Sequence, residues 1–196
     1  MRKLNRDEIP RLSPLEMREV RKHPIVVVLE NIRSLHNVGS ILRTCDATLV
    51  EHVWVTGYTP RPSHAGIQKT ALGSQYTVAW SEADDAVSVL RGLRMEEYTI
   101  AALEITDAPT SIRDVTASFF PLALVVGNEL EGVSEEAMAE ADFAIEIPQY
   151  GSKQSLNVAV ALGVAAAGLV EKYREMFQVP SAKCQVPGSR PEDLKT

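Results

Sequence analysis

Three segments of the chain place polar side chains with no evident core role directly after an apolar run. They are residues 31–47 (NIRSLHNVGSILRTCDA), 125–134 (VVGNELEGVS) and 147–159 (IPQYGSKQSLNVA). In each, a strand-like apolar run ends in a polar or glycine-containing loop, and a helix-like run follows. Open α/β sheets build their ligand sites at the carboxyl ends of their strands. This organisation therefore indicates an enzyme.

The first segment offers an amide and a guanidinium group. Asn37 stands where the chain would enter a helix, so its side chain could cap that helix. Arg43 lies six residues further on, in a helix otherwise made of apolar residues, and an unpaired buried charge is costly. Its partner is either a carboxylate such as Asp46 or a phosphate held by the guanidinium fork. The spacing alone gives these two interpretations equal weight.

The second and third segments offer a carboxylate and two further polar groups. Glu129 follows an apolar strand and a glycine, and taken alone it is best interpreted as a solvated loop carboxylate. Ser155 is a plausible cap for the last long helix. Asn157 then falls inside the first turn of a buried helix, where its amide must find hydrogen-bond partners.

Composition and motif content narrow the class of protein. The chain has 196 residues, 45% hydrophobic and 23% charged, which is typical of one soluble globular domain. Its longest apolar run, residues 158–170, is too short to span a membrane, and the N-terminus lacks an apolar signal core. Two cysteines without CxxC spacing are expected to be reduced thiols in a cytoplasmic protein. The sequence contains no glycine-rich dinucleotide or phosphate loop, no GxSxG nucleophile elbow and no metal-ligand spacing.

The charge distribution is uneven along the chain. The net charge of −6 argues weakly against a nucleic-acid partner. Residues 1–69 nevertheless carry a balance of +4, and residues 70–196 a balance of −10. The N-terminal third could therefore form a local phosphate-binding face, although a solvated surface with chance clustering is the simpler interpretation of charge alone.

Alternating strand-like and helix-like runs predict an α/β fold, with a parallel sheet covered by helices on both faces. The predicted strands are residues 25–30, 53–56, 76–80, 98–104, 122–126 and 143–147. The predicted helices are residues 14–22, 38–48, 67–72, 82–95, 134–139 and 155–173. A capping box of Ser13 and Glu16 begins the first helix. The expected organisation is a basic extension (1–24), one domain (25–175) and a flexible C-terminal tail (176–196).

Taken together, the three segments resemble the SpoU class of the SPOUT superfamily of RNA methyltransferases. The motifs N-x-G-x-x-x-R, G-N-E-x-x-G and S-L-N-V occur in the family's order, and the resemblance covers about residues 25–173. The matching residues are Asn37, Gly39 and Arg43; Gly127, Asn128, Glu129 and Gly132; and Ser155, Leu156, Asn157 and Val158. The stretch 69–74 (KTALGS) is also similar to a family segment.

The resemblance implies 2′-O-methylation of a ribose in tRNA or rRNA, with S-adenosylmethionine as methyl donor and without a metal. It also implies a C-terminal trefoil knot, one of the few exceptions to the rule against knotted chains. The knotted loops would hold the cofactor in place of a glycine-rich fingerprint. A homodimer with its active site at the interface is implied as well.

The resemblance also assigns roles to single residues. Arg43 matches the family's catalytic arginine, Asn37 and Glu129 match supporting polar residues, and Ser155 and Asn157 would lie by the reacting ribose. Backbone around four residues would hold the adenosine of the cofactor: Leu103, Gly127, Ile147 and Leu156. Ala159 stands where many relatives carry serine, so any hydrogen bond from that position is lost here.

The substrate and two rival functions remain open at this point. Many relatives that act on rRNA carry a separate N-terminal RNA-binding domain, whereas this chain has only about 24 residues before its first core strand. That outline resembles the tRNA guanosine 2′-O-methyltransferases, and residues 1–24 carry a balance of +3 that fits phosphate contacts. The alternatives are an rRNA methyltransferase, a non-catalytic RNA-binding relative, or an unrelated α/β enzyme acting on a small metabolite.

Overall fold

The computed structural model describes residues 1–9 and 12–179. Residues 1–21 and residues 22–179 belong to two separate compact units. The first contains a 3-10 helix (Arg6–Glu8) and helix α1 (Pro14–Glu19). The predicted capping box at α1 is confirmed, with reciprocal hydrogen bonds between Ser13 and Glu16. The predicted tail 176–196 lies outside the described residues from residue 180 onward.

The second unit is a six-stranded sheet in which every strand pair is parallel, so the predicted α/β fold is confirmed. The strands are β1 (His23–Glu30), β2 (Val50–Thr56), β3 (Trp80–Ala83), β4 (Thr99–Leu103), β5 (Leu122–Val126) and β6 (Phe143–Ile145). Their spatial order is β3-β2-β1-β5-β4-β6. The helices are α2 (Leu35–Ala47), α3 (Gln68–Ala71), α4 (Ala86–Met95), α5 (Glu135–Ala139) and α6 (Val158–Phe177).

Strand β1 lies in the middle of the sheet and is buried on both faces. Ile25, Val27 and Leu29 point into one core, together with apolar residues of α2 and α6. Val26 and Val28 point into a second core, formed with α4 and α5. Because successive residues of a strand face opposite sides, a strand covered twice must be apolar throughout. This explains the uninterrupted run IVVVL.

The strand order changes direction between β1 and β5. From β1 the chain continues to β2 and then β3 on one side of the sheet, and it then crosses to the other side, where β4, β5 and β6 lie. Ligands of open α/β sheets bind at such a switch point, outside the carboxyl ends of the strands. The loops that follow β1 and β5 are the first two motif segments. The trefoil knot stays a prediction, because strand order and pairing do not specify it.

Some element boundaries differ from those predicted. Helix α2 begins at Leu35 and not at residue 38, because Ser34 caps it. The predicted strand 76–80 is wrong: a 3-10 helix occupies Ser74–Tyr76, and β3 begins only at Trp80. The left-handed backbone of Leu72 and Gly73 turns the chain there.

Helix α4 begins at Ala86 and not at residue 82, because Asp85 caps it. Residues 82 and 83 instead form the end of β3. The remaining helices also shift by a few residues at their ends, most of all α6, which starts at Val158.

The described part of the chain shows two further features. None of its helices is both long and apolar enough to cross a membrane. Cys45 of α2 is a free cysteine whose side chain is buried in the core. Burial raises the pKa of its thiol to about 12, with a smaller contribution from the charge of Asp46. The second cysteine, Cys184, lies outside the described residues.

Two helical glycines allow a matched test of packing between α2 and α3. A Cβ added at Gly39 would collide with the side chain of Thr70, and would lie 3.0 Å from the backbone nitrogen of Ala71. We expect Gly39→Ala to lower the free energy of unfolding by about 1–2 kcal/mol, the overpacking penalty less the gain in helix propensity.

Gly92 of α4 is the control, since nothing lies within 4 Å of an added Cβ there. Gly92→Ala should raise the free energy of unfolding by up to about 1 kcal/mol. Urea unfolding followed by circular dichroism measures both changes. Equal stabilisation by the two substitutions would contradict the close approach of α2 and α3.

Candidate active site

The carboxylate of Glu129 joins the loop after β5 to the start of α2. Its Oε2 accepts a hydrogen bond from the backbone N–H of Arg33 at 3.0 Å. Its Oε1 accepts from the backbone N–H of Ser34 at 3.1 Å and from Nδ2 of Asn37 at 2.8 Å. Glu129 is therefore more than the solvated loop carboxylate that its own segment suggested, because both of its oxygens bind groups more than 90 residues earlier in the chain.

Asn37 extends this connection to the third motif segment. Its Oδ1 accepts a hydrogen bond of 3.0 Å from Nδ2 of Asn157. Asn157 in turn caps α6, because its Oδ1 accepts from the backbone N–H groups of Ala159 and Val160. We call Glu129, Asn37 and Asn157 the amide–carboxylate network. It links the loops that follow β1, β5 and β6.

Two predicted capping roles are therefore wrong. Ser34 caps α2, which frees the side chain of Asn37 for the network. Asn157 caps α6, and Ser155 lies two residues before the cap, exposed to solvent. Asparagine is as good a cap as serine, so the local sequence could not choose between them. Ser134 caps α5, since its Oγ accepts from the N–H of Ala137.

The loop 127–133 is tightly closed, and its two glycines are required by this closure. A Cβ at Gly127 would collide with the backbone of Gly132, and one at Gly132 would collide with the carboxylate of Glu104. Gly132 also has a positive φ of 74°. Asn128 is buried and its Oδ1 accepts from the backbone N–H of Leu130 at 2.7 Å. The loop is thereby held in the conformation that presents Glu129.

Next to the network lies a cleft of about 530 Å³ at the carboxyl ends of β4, β5 and β6. All four residues predicted to surround the adenosine line it: Leu103, Gly127, Ile147 and Leu156. Glu129, Ser155 and Asn157 line it as well. The structure thus brings seven of the nine candidate residues into one cleft and attaches an eighth, Asn37, to its edge through hydrogen bonds.

The cleft is strongly acidic. Four glutamates line it, namely Glu104, Glu129, Glu131 and Glu146, and no lysine or arginine lines it within the described residues. Glu104 is itself fixed, because its carboxylate accepts from the backbone N–H groups of Val133 and Ile105. Such a lining favours a ligand that carries positive charge.

Arg43 is the ninth candidate, and it lies apart from the cleft. It is exposed on α2, six residues and therefore about 9 Å along the helix axis from Asn37. The premise that Arg43 is buried is wrong, and so is its pairing with Asp46, whose Oδ1 accepts from the hydroxyl of Thr77. Within the described part of the chain the guanidinium makes no ion pair or hydrogen bond. It is available to an anion from outside the chain.

Two residues of the site, Glu30 and Tyr58, escaped sequence reasoning. Glu30 ends β1 as a buried carboxylate that accepts from both the backbone N–H and the hydroxyl of Ser134. Asn128 donates to the carbonyl oxygen of Asn31 and to the hydroxyl of Tyr58. The one sequence signal for Glu30 was its position as a charged residue at the end of an apolar strand. Nothing in the local pattern identified Tyr58.

No group of three or more His, Cys, Asp or Glu side chains suited to a metal ion occurs in residues 1–9 and 12–179.

The ionisation of Glu129 should contribute to stability in a pH-dependent way. Partial burial raises its pKa, but the hydrogen bonds from Arg33, Asn37 and Ser34 lower it, and the net pKa is below its ordinary value. A lowered folded-state pKa means that the contribution is present above the unfolded pKa of about 4.3 and is lost as pH falls through the folded value. Because the carboxylate is exposed and screened by solvent, we expect Glu129→Gln to cost only about 0.5–1 kcal/mol at pH 7, and much less once the pH falls below the folded-state pKa.

Glu131→Gln is the matched control, because the Glu131 carboxylate lines the same cleft and makes no hydrogen bond to any described residue. It should change stability little at either pH. Denaturant titrations at several pH values give the comparison, and a loss for Glu129→Gln that does not vary with pH would count against an ionised network.

Comparison with known proteins places these features in a family. The model of the SpoU rRNA Methylase family matches residues 24–167. The tRNA (guanosine(18)-2′-O)-methyltransferase of Thermus thermophilus is 38% identical over 176 residues, which are 88% of this chain and 86% of that protein. The protein of the same name from Aquifex aeolicus is 36% identical over 150 residues, 76% of this chain and 70% of that protein.

Solved structures agree with this placement. The TrmH/SpoU tRNA modifying enzyme of A. aeolicus has a TM-score of 0.75 at 32% identity, covering 86% of this chain and 85% of that one. An AdoMet-bound rRNA methyltransferase from Sinorhizobium meliloti has a TM-score of 0.70 at 27% identity, covering 87% of this chain and 62% of that one. With its sheet, its cleft and its three motif segments, the chain belongs to the SpoU rRNA methylase family.

Proposed function

We propose that this chain transfers a methyl group from S-adenosylmethionine to a ribose 2′-oxygen of RNA, and that its substrate is a guanosine of tRNA. The observation that carries the proposal is the amide–carboxylate network, which joins all three family motifs at the edge of one acidic cleft. The substrate class is supported by the relatives from T. thermophilus and A. aeolicus, which bear the name of a tRNA guanosine 2′-O-methyltransferase.

The cleft suits the methyl donor in size and charge. Its volume of about 530 Å³ lies within the usual range for small-molecule sites, roughly 300–1,000 Å³. S-adenosylmethionine carries a positive sulfonium, a positive ammonium and a negative carboxylate group, so its net charge is positive, and four glutamates line the cleft. Backbone near Leu103, Gly127, Ile147 and Leu156 would hold the adenosine, as the family resemblance implies. When bound, the donor supplies a methyl group activated for displacement from sulfur.

The residues of the chain have to orient the ribose and stabilise negative charge on its 2′-oxygen. The network fixes both amide side chains at once: Asn37 donates to Glu129 and accepts from Asn157, which also caps α6. Glu129 uses both oxygens as acceptors and has a lowered pKa, so it is a poor proton acceptor and a good positioning residue. The network thus holds polar groups in place before RNA binds.

Arg43 acts on the RNA as an anchor for phosphate and as a stabiliser of developing charge. A guanidinium has five N–H donors and no acceptor, which argues against a role as general base. The proton of the 2′-hydroxyl therefore passes to water as the methyl group is transferred. Its side chain is exposed and makes no described ion pair, so it can hold a phosphate with the bidentate geometry of its fork. Arg43 does not line the cleft of its own chain, which supports a site completed by a second copy.

A homodimer is part of the proposal. Val160 and Val164 lie one turn apart on α6 and are 53% and 47% exposed, immediately beyond the network residue Asn157. Leu156, which lines the cleft, is 42% exposed. A second copy that covers this apolar face would also close the cleft from the side.

The N-terminal flanking residues support an RNA substrate. Residues 1–24 hold seven basic and four acidic residues, which suits contacts with RNA phosphates and makes binding weaken with salt. The 23S rRNA (guanosine-2′-O-)-methyltransferase RlmB of Nitrosomonas europaea is 31% identical over 166 residues, which are 62% of its length. The name of that relative supports rRNA as the alternative substrate class. We also propose a trefoil knot, a cytoplasmic location and the domain limits 1–24, 25–175 and 176–196.

The substrate proposal is tested by transfer of labelled methyl from S-adenosylmethionine to unmodified bulk tRNA and, separately, to rRNA. We expect label in tRNA, a loss of about 10²–10³-fold in kcat for Arg43→Ala, and a loss of about tenfold for Arg43→Lys, which keeps the charge but not the fork. Affinity for S-adenosylmethionine should not change in either variant.

Arg91→Lys is the matched control, since Arg91 lies on α4 at the other face of the sheet and pairs with Glu140. It should transfer methyl at the wild-type rate. Label only in rRNA would overturn the choice of tRNA, and failure to bind S-adenosylmethionine would favour the non-catalytic relative. Turnover without RNA would favour a small-metabolite enzyme, and a fully active Arg43→Lys would contradict the bidentate contact.

The dimer is tested by sedimentation of the wild type and of Val164→Arg. We expect a wild-type mass of two chains and a shift towards one chain in the variant, because a charge placed in an apolar interface is left without a partner. Glu175→Arg, on an exposed position nearer the end of α6, is the control and should stay dimeric. A wild type that sediments as one chain at all concentrations would contradict this part of the proposal.

A further inference from the structure

Tyr58 presents an aromatic ring that is exposed and yet held at two points. The residue is 57% exposed and follows β2 by two positions. Its backbone N–H donates to Oδ1 of Asn31 at 3.2 Å, and its hydroxyl accepts from Nδ2 of Asn128. Gly57 before it has a φ of 60°, and a Cβ there would collide with Oδ1 of Asn31. The turn that carries the ring is therefore rigid.

The same amide that holds Tyr58 also shapes the loop of Glu129. Nδ2 of Asn128 donates to the carbonyl of Asn31 as well as to the tyrosine hydroxyl. Its Oδ1 accepts from the backbone N–H groups of Leu130 and Glu131. Asn128 itself lines the cleft. The ring of Tyr58 is thus one side chain away from the cleft, and its position is coupled to that of Glu129.

An exposed ring held in this way suits stacking against another planar group. The side chain has already lost much of its rotational freedom, so a partner that covers the ring has little further ordering cost. Stacking of a nucleobase on an aromatic ring contributes to RNA binding and depends on the π face, not on the base identity. Neither the amide–carboxylate network nor the acidic cleft supplies such a surface, because no aromatic residue lines the cleft within the described chain.

We infer that the ring of Tyr58 is a stacking platform for a nucleobase of the RNA substrate, and that it positions that nucleotide beside the cleft. The inference rests on the proposed RNA substrate and extends it to one residue outside the three motifs. Tyr58 is a positioning residue: it contacts the RNA, whereas the methyl group is transferred in the cleft.

The test compares Tyr58→Phe, which keeps the ring and loses the hydroxyl, with Tyr58→Leu, which keeps apolar bulk and loses the π face. Equilibrium binding to unmodified bulk tRNA, affinity for S-adenosylmethionine, and kcat and KM for methyl transfer are measured for each. Tyr76→Leu is the matched control, because Tyr76 is 65% exposed, lies on the 3-10 helix Ser74–Tyr76 and makes no hydrogen bond to Asn128, whose Nδ2 donates to Asn31 and Tyr58. Sedimentation of each variant reports its association state.

Stacking predicts that Tyr58→Leu weakens tRNA binding and raises KM about tenfold or more, while Tyr58→Phe stays within about threefold of wild type. S-adenosylmethionine affinity should be unchanged in both variants, and Tyr76→Leu should bind tRNA normally. These results together would establish the platform.

Other outcomes overturn the inference. Equal losses in the Phe and Leu variants, or a loss of S-adenosylmethionine affinity, would make Tyr58 an anchor of the Asn128 loop. Dissociation of Tyr58→Leu into single chains would make the ring a protein contact. Wild-type tRNA binding by Tyr58→Leu would remove the role altogether. If the wild type binds tRNA but transfers no methyl group, the proposed function fails while the binding comparison still decides the role of Tyr58.

Discussion

The carboxylate of Glu129 receives hydrogen bonds from groups that are 92 to 96 residues away in the chain, and much of the site depends on this contact. A carboxylate accepts hydrogen bonds at two oxygens, and here both are used to fix the first turn of α2. That turn carries Asn37, which in turn receives Asn157 from the start of α6. Glu129 therefore links the segments that follow β5 and β1, and Asn37 extends the link to the segment that follows β6.

This constraint explains why small residues surround the site. Gly127 and Gly132 let the loop after β5 close tightly enough to point Glu129 at α2. Gly39 lets α3 pack directly against α2, whose first turn carries Asn37. The buried amide of Asn128 connects the Glu129 loop to the turn that carries Tyr58, through hydrogen bonds to both. Chemistry that needs aligned reactants benefits from a site fixed before the substrates arrive.

The fold was largely predictable from the sequence, because buried parallel strands and amphipathic helices leave strong local patterns. The apolar run of β1 and the capping box of α1 are examples. The network was not predictable in the same way: Asn37 and Ser155 looked like caps, whereas Ser34 and Asn157 are the caps. Local spacing cannot distinguish a cap from a partner 120 residues away. Arg43 was expected to be buried because its neighbours in sequence are apolar, and only the packing of α2 shows that it faces outward.

The central claim is that Glu129 and Asn157, between which the structure shows no hydrogen bond, act together through Asn37. A double-mutant cycle with Glu129→Ala and Asn157→Ala measures this coupling directly. The free energy of unfolding is determined for the wild type, both single variants and the double variant, and the coupling is the departure of the double variant from additivity. The account predicts a coupling of about 0.5 kcal/mol or more, which disappears when the cycle is repeated in an Asn37→Ala background. Strictly additive losses in the wild-type background would contradict it.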